Sequence, residues 1–390
     1  MNVLVAPNAL KGSLDAFEAA GAIAEGLARS LPDAEFDKLP IADGGDGTAA
    51  VLVRALGGSF ADAVVLDPLG RPRHAGFGVV DEGAAGGAEA ILEVAQSSGV
   101  TLLAATERNP LAATSYGAGQ LVLAALDRGC RRIVIGLGGS ATVDGGAGFV
   151  DALGARLLDA KGAPIARGGA GLAALHRIDV SGLDPRLAEV EIVAVCDVDN
   201  ALLGVHGAAR TFAPQKGAGA EMVDRLEANL TRLADVIERD LGREVGHLKH
   251  GGAAGGMAAG IAGILGGRLE RGADFVLERL KVRQRLIGKD IVFTAEGQID
   301  RQTWANKGPY ALARTARELG IPVVALAGGV SDDANIKAFD PFDAILPICP
   351  RPMALEEAMP RAREHLALAA ERAGRLLRLG GRLALSRGLS

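Results

Sequence analysis

Six short apolar runs in this 390-residue chain each run into a loop that mixes glycine with carboxylates, hydroxyls or a lysine. After Asn2–Ala6 comes Pro7-Asn8-Ala9-Leu10-Lys11-Gly12-Ser13, and after Phe36–Pro40 comes Ile41-Ala42-Asp43-Gly44-Gly45-Asp46-Gly47-Thr48. After Ile133–Ile135 comes the run Gly136-Leu137-Gly138-Gly139-Ser140-Ala141-Thr142-Val143-Asp144-Gly145-Gly146. After Ile192–Val195 comes Cys196-Asp197-Val198-Asp199-Asn200, and after Ile291–Phe293 comes Thr294-Ala295-Glu296-Gly297-Gln298-Ile299-Asp300. The last, after Val323–Leu326, holds Gly328-Gly329-Val330-Ser331-Asp332-Asp333. Glycines let backbone N–H groups approach an anion closely. Carboxylates beside them would repel that anion unless a hard cation lies between. Mg²⁺ takes oxygen ligands and is commonly shared between one or two carboxylates and substrate phosphates. Together with Lys11, the pattern predicts Mg-nucleotide phosphate chemistry.

Each of these residues also has a plainer reading. Asp43 and Asp46 suit turns or the N-cap of the next helix. Asp197 and Asp199 suit an Asx-turn. Glu296 and Asp300 could pair with Arg301, and Lys11 could be a solvated lysine near a helix start. A cation there opposes the helix macrodipole, which favours a phosphate-facing role. Gly136–Ala141 matches G-x-G-x-x-G/A, but Gly145-Gly146 breaks an immediate helix and weakens a dinucleotide reading. The chain has no G-x-x-x-x-G-K-[ST] and no G-x-S-x-G, which argues against a P-loop NTPase and an α/β-hydrolase. His176-Arg177-Ile178-Asp179 lacks the companions of a protein-kinase loop, and His247 with His250 lacks a third ligand.

The loops need a scaffold, and the apolar patterning supplies one. Leu14–Ala28 carries a helical stripe, and Val223, Leu226, Leu230, Leu233, Ile237 and Leu241 carry a stronger one ended by Gly242. Pro309 suits the first turn of a helix through Leu319, closed by Gly320 and followed by a strand. Strand, helix and strand with short loops predict βαβ units and a parallel sheet. In open sheets of this kind ligands bind beyond the carboxyl ends of the strands. Val64–Leu66 and His74–Val80 flank Asp67-Pro68-Leu69-Gly70-Arg71-Pro72, which reads as an antiparallel pair. Gly251–Gly267 reads as a loop entering a tightly packed helix. The fold class expected is α/β, with two α/β domains: a Rossmann-like parallel sheet and a second, mixed domain. The change of rhythm predicts a discontinuous first domain, 1–62 plus 286–390, with 63–285 inserted. The Arg-rich tail, Arg361–Ser390, reads as a solvated helix face.

Composition narrows the function. Apolar residues make up 49% and charged residues 23%, which fits a globular chain and excludes global disorder. Glycine, at 55 residues, is about twice as frequent as usual and has no collagen period. Aromatics at 3% and a net charge of −5 argue against a nucleic-acid partner. Three scattered cysteines, Cys130, Cys196 and Cys349, suit a reducing compartment. No leader-like start and no long apolar run are present, so a cytoplasmic location without a membrane partner is expected.

Taken in order, these blocks resemble the type 1 glycerate kinase family along nearly the whole chain. The resemblance rests on Ala6–Leu14, Pro40–Thr48, Asp67–Pro72, Arg108-Asn109-Pro110-Leu111 and Thr114-Ser115-Tyr116-Gly117. It continues through Gly136–Gly146, Cys196–Asn200, Gln215-Lys216-Gly217, Gly252-Ala253-Ala254-Gly255-Gly256 and Glu296–Asp300. It implies ATP- and Mg²⁺-dependent phosphorylation of D-glycerate, with 2-phosphoglycerate favoured over 3-phosphoglycerate, in a cleft between two domains. In that setting Asp197, aided by Glu296 or Asp300, would hold Mg²⁺. Lys11 and the amides of Gly138, Gly139 and Ser140 would meet the transferred group. Asp197 or Asp43 would take the hydroxyl proton, and Arg71 or Lys307 would meet the glycerate carboxylate. Ser13, Gly44, Gly45, Asp46, Thr142 and Asn200 complete the expected substrate and phosphate contacts. The chain departs from the usual pattern at Asn8-Ala9-Leu10, Asp46, Ala201, Ala295 and Asn306. The competing classes are an NAD(P)-dependent oxidoreductase and a non-catalytic ligand sensor. A monomer or homodimer is expected.

Overall fold

A computed structural model describes residues 1–81, 87–300, 303, 307–331 and 341–386. Arg301, Asn306, Asp332, Asp333 and the end of the basic tail lie outside the described residues. The strands are β1 Asn2–Val5, β2 Glu35–Lys38, β3 Ser59–Leu66, β4 Pro72–Asp81, β5 Ala88–Glu93, β6 Cys130–Gly136 and β7 Arg156–Leu158. They continue with β8 Arg177–Asp179, β9 Glu191–Cys196, β10 Arg268–Arg271, β11 Ile291–Ile299, β12 Val323–Val330 and β13 Ala344–Pro347.

The chain forms two compact units. The first comprises Met1–Asp43 and Ala273–Ser390, and the second comprises Gly44–Gly272. Segments 44–62 and 273–285 therefore group differently from the segments expected from the sequence. Helix Thr48–Leu56 packs on β4 and β5, so the chain enters the second unit before the hairpin that marks the change of rhythm.

The first unit is a five-stranded parallel sheet in the order β13-β12-β11-β1-β2. Side chains alternate across a strand, so Val3 and Val5 face one side and Leu4 the other, and all three are fully buried. Val3, Val5, Phe293 and Leu326 pack with Ile23 and Leu27 of helix Ala16–Ser30 and with Leu366 and Ala370 of helix Ala362–Ser386. The first of these helices is capped by Asp15, with Glu18 reaching back to the cap N–H. Those two acids answer the macrodipole that Lys11 would otherwise oppose. The first part of the C-terminal helix is core rather than solvated face. Its His365 is 1% exposed, and neither ring nitrogen has a hydrogen-bond partner. A buried, unpaired polar group is unfavourable by about 1–3 kcal/mol. His365→Leu is therefore expected to raise stability by about 1 kcal/mol in urea denaturation. A loss of stability would show that the ring is needed.

The second unit is a six-stranded mixed sheet in the order β10-β9-β6-β5-β4-β3, with a separate β7–β8 pair. Strands β10, β9, β6 and β5 run parallel, while β4 and β3 form an antiparallel hairpin paired from Leu66–Pro72 to Ser59–Val79. Asp67 closes its turn by accepting the N–H groups of Leu69 and Arg71 at 2.8 and 2.9 Å. Helix Ala220–Leu241 follows its apolar stripe and stops at Gly242, whose φ of 68° is left-handed. The 251–267 segment is a helix entered through three left-handed residues, Ala254, Gly255 and Gly256.

Two strands run further than their apolar patterns indicate. Strand β11 extends to Ile299, so Glu296 is a strand residue rather than a loop residue. Strand β12 extends through Gly328 and Gly329 to Val330. Each continues as the other's partner, with Gln298 opposite Gly329. Pairing between neighbours overrides the low strand preference of glycine.

Candidate active site

In the first unit the carboxyl ends of the parallel strands gather acids and a lysine. Asn8, beyond β1, donates from Nδ2 to Asp43 Oδ2 at 3.0 Å, and its Oδ1 accepts the Ala9 N–H. Glu296 on β11 is 7% exposed. Its Oε2 accepts the Thr303 hydroxyl at 3.1 Å, and Lys307 Nζ lies 3.6 Å from Oε1. Burial pushes the Glu296 carboxyl up to about 7. Lys307 works against that rise, while Asp43 and Asp300 add to it. Thr303 also receives the Asp300 N–H at 3.2 Å, which ties the turn to the strand. Lys11 is exposed in the turn before the first helix, where Gly12 has a φ of 81°. Gly297 lies so near that a Cβ on it would be 3.3 Å from the Lys11 backbone nitrogen. Ser13 donates its hydroxyl to the Leu10 carbonyl at 2.9 Å and closes that turn.

In the second unit two glycine loops lie back to back. A Cβ on Gly138 would stand 2.8 Å from Gly45 Cα, and one on Gly136 would stand 2.9 Å from the Gly44 carbonyl. Gly139 has a φ of 65°, and a Cβ on it would be 3.0 Å from Asp46 Oδ1. These are approaches only glycine permits. The N–H groups of Gly138, Gly139 and Ser140 donate to no acceptor among the described residues. Three successive N–H groups without an acceptor at a strand's carboxyl end are donors of the type that suits an anion. Gly145 and Gly146 follow with φ of 61° and 78°, so no helix starts where a dinucleotide fingerprint needs one.

Asp46 does not cap the helix Thr48–Leu56. Its N-cap is Gly47, and the Ala49 N–H is taken by Glu93 of β5 at 2.8 Å. Burial pushes the Glu93 carboxyl up, and Asp46 adds to that rise. Asp46, Gly47, Glu93, Gln96, Thr101 and Leu102 are among the residues lining a cavity of about 470 Å³.

Asp197 follows β9 and is half-buried, as expected for a strand-end carboxylate. Its neighbour Asp199 is paired with Arg271 at 2.9 Å and faces Lys249 and His250. Asn200 gives its Nδ2 to the His206 carbonyl at 2.7 Å, which closes its own loop. The Arg71 guanidinium is paired with Asp67 at 2.5 Å and Glu107 at 2.7 Å. Its charge is committed within the hairpin turn. Among the described residues no group of three or more His, Cys, Asp or Glu side chains could hold a metal. A strand-end carboxylate such as Asp197 is a donor of the type Mg²⁺ takes when it arrives on nucleotide phosphates.

The structure also brings in residues that spacing did not single out. Lys216 is 5% exposed and donates to Ser140 Oγ at 2.8 Å and to the Thr142 carbonyl at 2.7 Å. Asp144 is fully buried and accepts the Ser115 N–H and hydroxyl at 2.9 and 2.8 Å. Both lie in sequence blocks that carry the family resemblance, but only their burial reveals a role. Thr142, fully buried, leaves its Oγ1 without a partner.

A parallel-sheet unit with a buried glutamate and a mixed-sheet unit with a glycine turn of unpaired N–H groups fit an α/β phosphotransferase. The sequence matches the glycerate kinase family over residues 3–378. A Bacillus subtilis glycerate kinase is 44% identical over 366 residues, covering 94% of this chain and 95% of that protein. An Escherichia coli glycerate 2-kinase is 40% identical over 382 residues, covering 98% and 99%. A crystal structure from Salmonella typhimurium that carries the glycerate kinase 2 designation superposes with a TM-score of 0.84 at 42% identity, covering 98% and 99%. The chain belongs to the glycerate kinase family. It is a kinase with glycerate as the acceptor implied by the family and a nucleotide as the implied donor. Among the described residues no helix is long and apolar enough to cross a membrane.

Proposed function

We propose that this chain transfers the terminal phosphoryl group of ATP to D-glycerate, with 2-phosphoglycerate favoured over 3-phosphoglycerate. The observation that carries the reading is the Gly138–Ser140 turn, whose three unpaired N–H groups suit phosphate oxygens. Phosphoryl transfer needs positioning and charge neutralisation rather than covalent help from the protein. In the second unit, Gly44 and Gly45 let the turn lie close, and Asp46 lines a cavity that takes the nucleoside. That cavity falls within the range of about 300–1,000 Å³ usual for small-molecule sites. Asp197 is the carboxylate that would hold Mg²⁺ carried by the nucleotide. The ion, when bound, neutralises charge on the phosphate oxygens.

In the first unit, Glu296 with Asp43 is suited to receive a proton from a substrate hydroxyl. Lys307 and Lys11 are the cations available there for a carboxylate or a phosphoryl oxygen. Arg71 and Asn200 are assigned to holding their own loops, given the partners above, and Ser13 to shaping the Lys11 turn. Asp300 supports the Glu296 pair through Thr303.

The test is ADP release from MgATP with and without D-glycerate, with the product's phosphate position read by ³¹P NMR. Glycerate-dependent release with the phosphate on C2 is expected. Asp197→Asn is expected to lower kcat by about 100-fold or more, the scale seen when a transition-state charge contact is lost. Full activity in that variant would remove Asp197 from the mechanism.

A further inference from the structure

The glycine turn is held from two sides by charged groups that never reach the surface. On one side Lys216, from the turn Pro214–Lys216, contacts both Ser140 and Thr142. On the other, Asp144 accepts the N–H groups of Gly146 and Gly148 at 3.2 and 3.3 Å in addition to both donors of Ser115. Asp144 is therefore saturated with donors and does not hydrogen-bond to Lys216. It acts on the lysine through space. Packing does not explain a lysine here, because an apolar side chain of similar length would fill the position without desolvating a charge.

We propose that Lys216 is a positioning residue: its ammonium fixes the Ser140 hydroxyl and the Thr142 carbonyl, and so holds the N–H groups of Gly138, Gly139 and Ser140 in the shape that receives the phosphoryl group. The inference rests on the reading of that turn as the phosphate cradle. The Thr142 hydroxyl is buried and unpaired, so its own side chain does not hold this carbonyl. Of the three ammonium protons, two are used within the protein.

The same burial gives the clamp a pH dependence. Desolvation pulls the Lys216 ammonium down to about 7, against the supporting charge of Asp144. Asp144 is the charged group that acts on the lysine, and burial pushes its own carboxyl up, against four hydrogen bonds that hold it down. Neutral Lys216 still fills its space but loses the charge that makes both hydrogen bonds strong. Turnover is therefore expected to fall along an alkaline limb that begins near neutrality.

The test uses kcat and KM for MgATP across pH in the full chain. Lys216→Met is expected to lower kcat at least tenfold, to remove the alkaline limb and to leave the melting temperature equal or higher. Wild-type kcat with an unchanged limb, or a kcat loss that merely follows a lower melting temperature, overturns the proposal. If Lys216→Met does not fold, Ser140→Ala decides. Losing one acceptor disfavours the ammonium, so the alkaline limb must move to lower pH, and an unmoved limb overturns the proposal. The double variant is expected to be no worse than the poorer single, because both changes break one clamp. Failure of the underlying reading looks different. Gly138→Ala with unaltered MgATP affinity and rate removes the cradle itself, whereas a defective Gly138→Ala beside an unaffected Lys216→Met removes only the lysine's part.

Discussion

Gly138→Ala is expected to lower kcat by about 100-fold or more in the folded protein with some loss of melting temperature, and Gly21→Ala to stabilise the chain and leave kcat alone. The two substitutions are chemically identical, so the difference lies in what a methyl group meets. At Gly138 it would stand 2.8 Å from the Cα of Gly45 and 3.5 Å from the Asp46 nitrogen. Both are backbone atoms, which cannot swing aside. The 44–48 and 136–146 loops must separate, and the N–H groups of Gly138, Gly139 and Ser140 lose their common aim. A single lost donor to a developing anion lowers rates by about 10²–10³. The 136–146 loop also buries Leu137, Val143 and Asp144, so part of the strain appears as lost stability. Gly21 lies inside helix Ala16–Ser30, and a Cβ there meets nothing within 4 Å. Alanine restricts the unfolded chain and is expected to add about 0.5–1 kcal/mol. Steady-state kinetics and thermal melts on the two proteins check both signs. Normal kinetics in Gly138→Ala would mean that the turn does not hold the phosphoryl group.

Much of this arrangement is legible in the sequence because glycine and carboxylate have few other uses at strand ends. The apolar runs locate β1, β2, β6 and β9 and the starts of β11 and β12 within a few residues, and the Pro–Gly turn locates the β3–β4 hairpin. The loops that follow β2, β6 and β9 then hold Asp43, Gly138 and Asp197. What the pattern does not carry is burial. Lys216 reads as an ordinary lysine between glutamine and glycine, yet it is enclosed under the glycine turn. Arg71 reads as a free cation for a substrate carboxylate, yet two acids of its own unit hold it. Asp46 reads as a helix cap, yet Glu93, far away in sequence, takes that task. Each of these outcomes depends on which side chain arrives from a distant segment, and local spacing holds no record of that. The extension of β11 to Ile299 is of the same kind. Its register with β12, rather than its own residue types, carries Glu296 into the sheet and out of water.

That change of environment makes Glu296→Gln informative in a way few substitutions are, because stability and activity are expected to move in opposite directions. In the folded protein the carboxyl titrates at about 7, against an ordinary value of 4.5. Between those values the folded state binds more protons than the unfolded state, so stability falls as pH rises through the window. The contribution is fully present below 4.5 and is lost as pH passes 7. Each pH unit between the two values corresponds to about 1.4 kcal/mol. Glutamine stays neutral throughout and can still accept from Thr303, though Lys307 then loses its counter-charge. The variant is expected to gain roughly 2 kcal/mol over the wild type between about pH 5 and pH 8, read by urea denaturation at each pH. Its kcat is expected to fall by about 100-fold, because an amide cannot take up the hydroxyl proton. Parallel stability curves would show that Glu296 is not protonated near neutrality in the folded state. Retained turnover would move proton transfer to Asp43, whose Oδ2 Asn8 holds at 3.0 Å. A structural glutamate would give the reverse pair of results, with lower stability at high pH and turnover preserved in the folded fraction. The joint sign of the two measurements therefore assigns the residue where either alone would not.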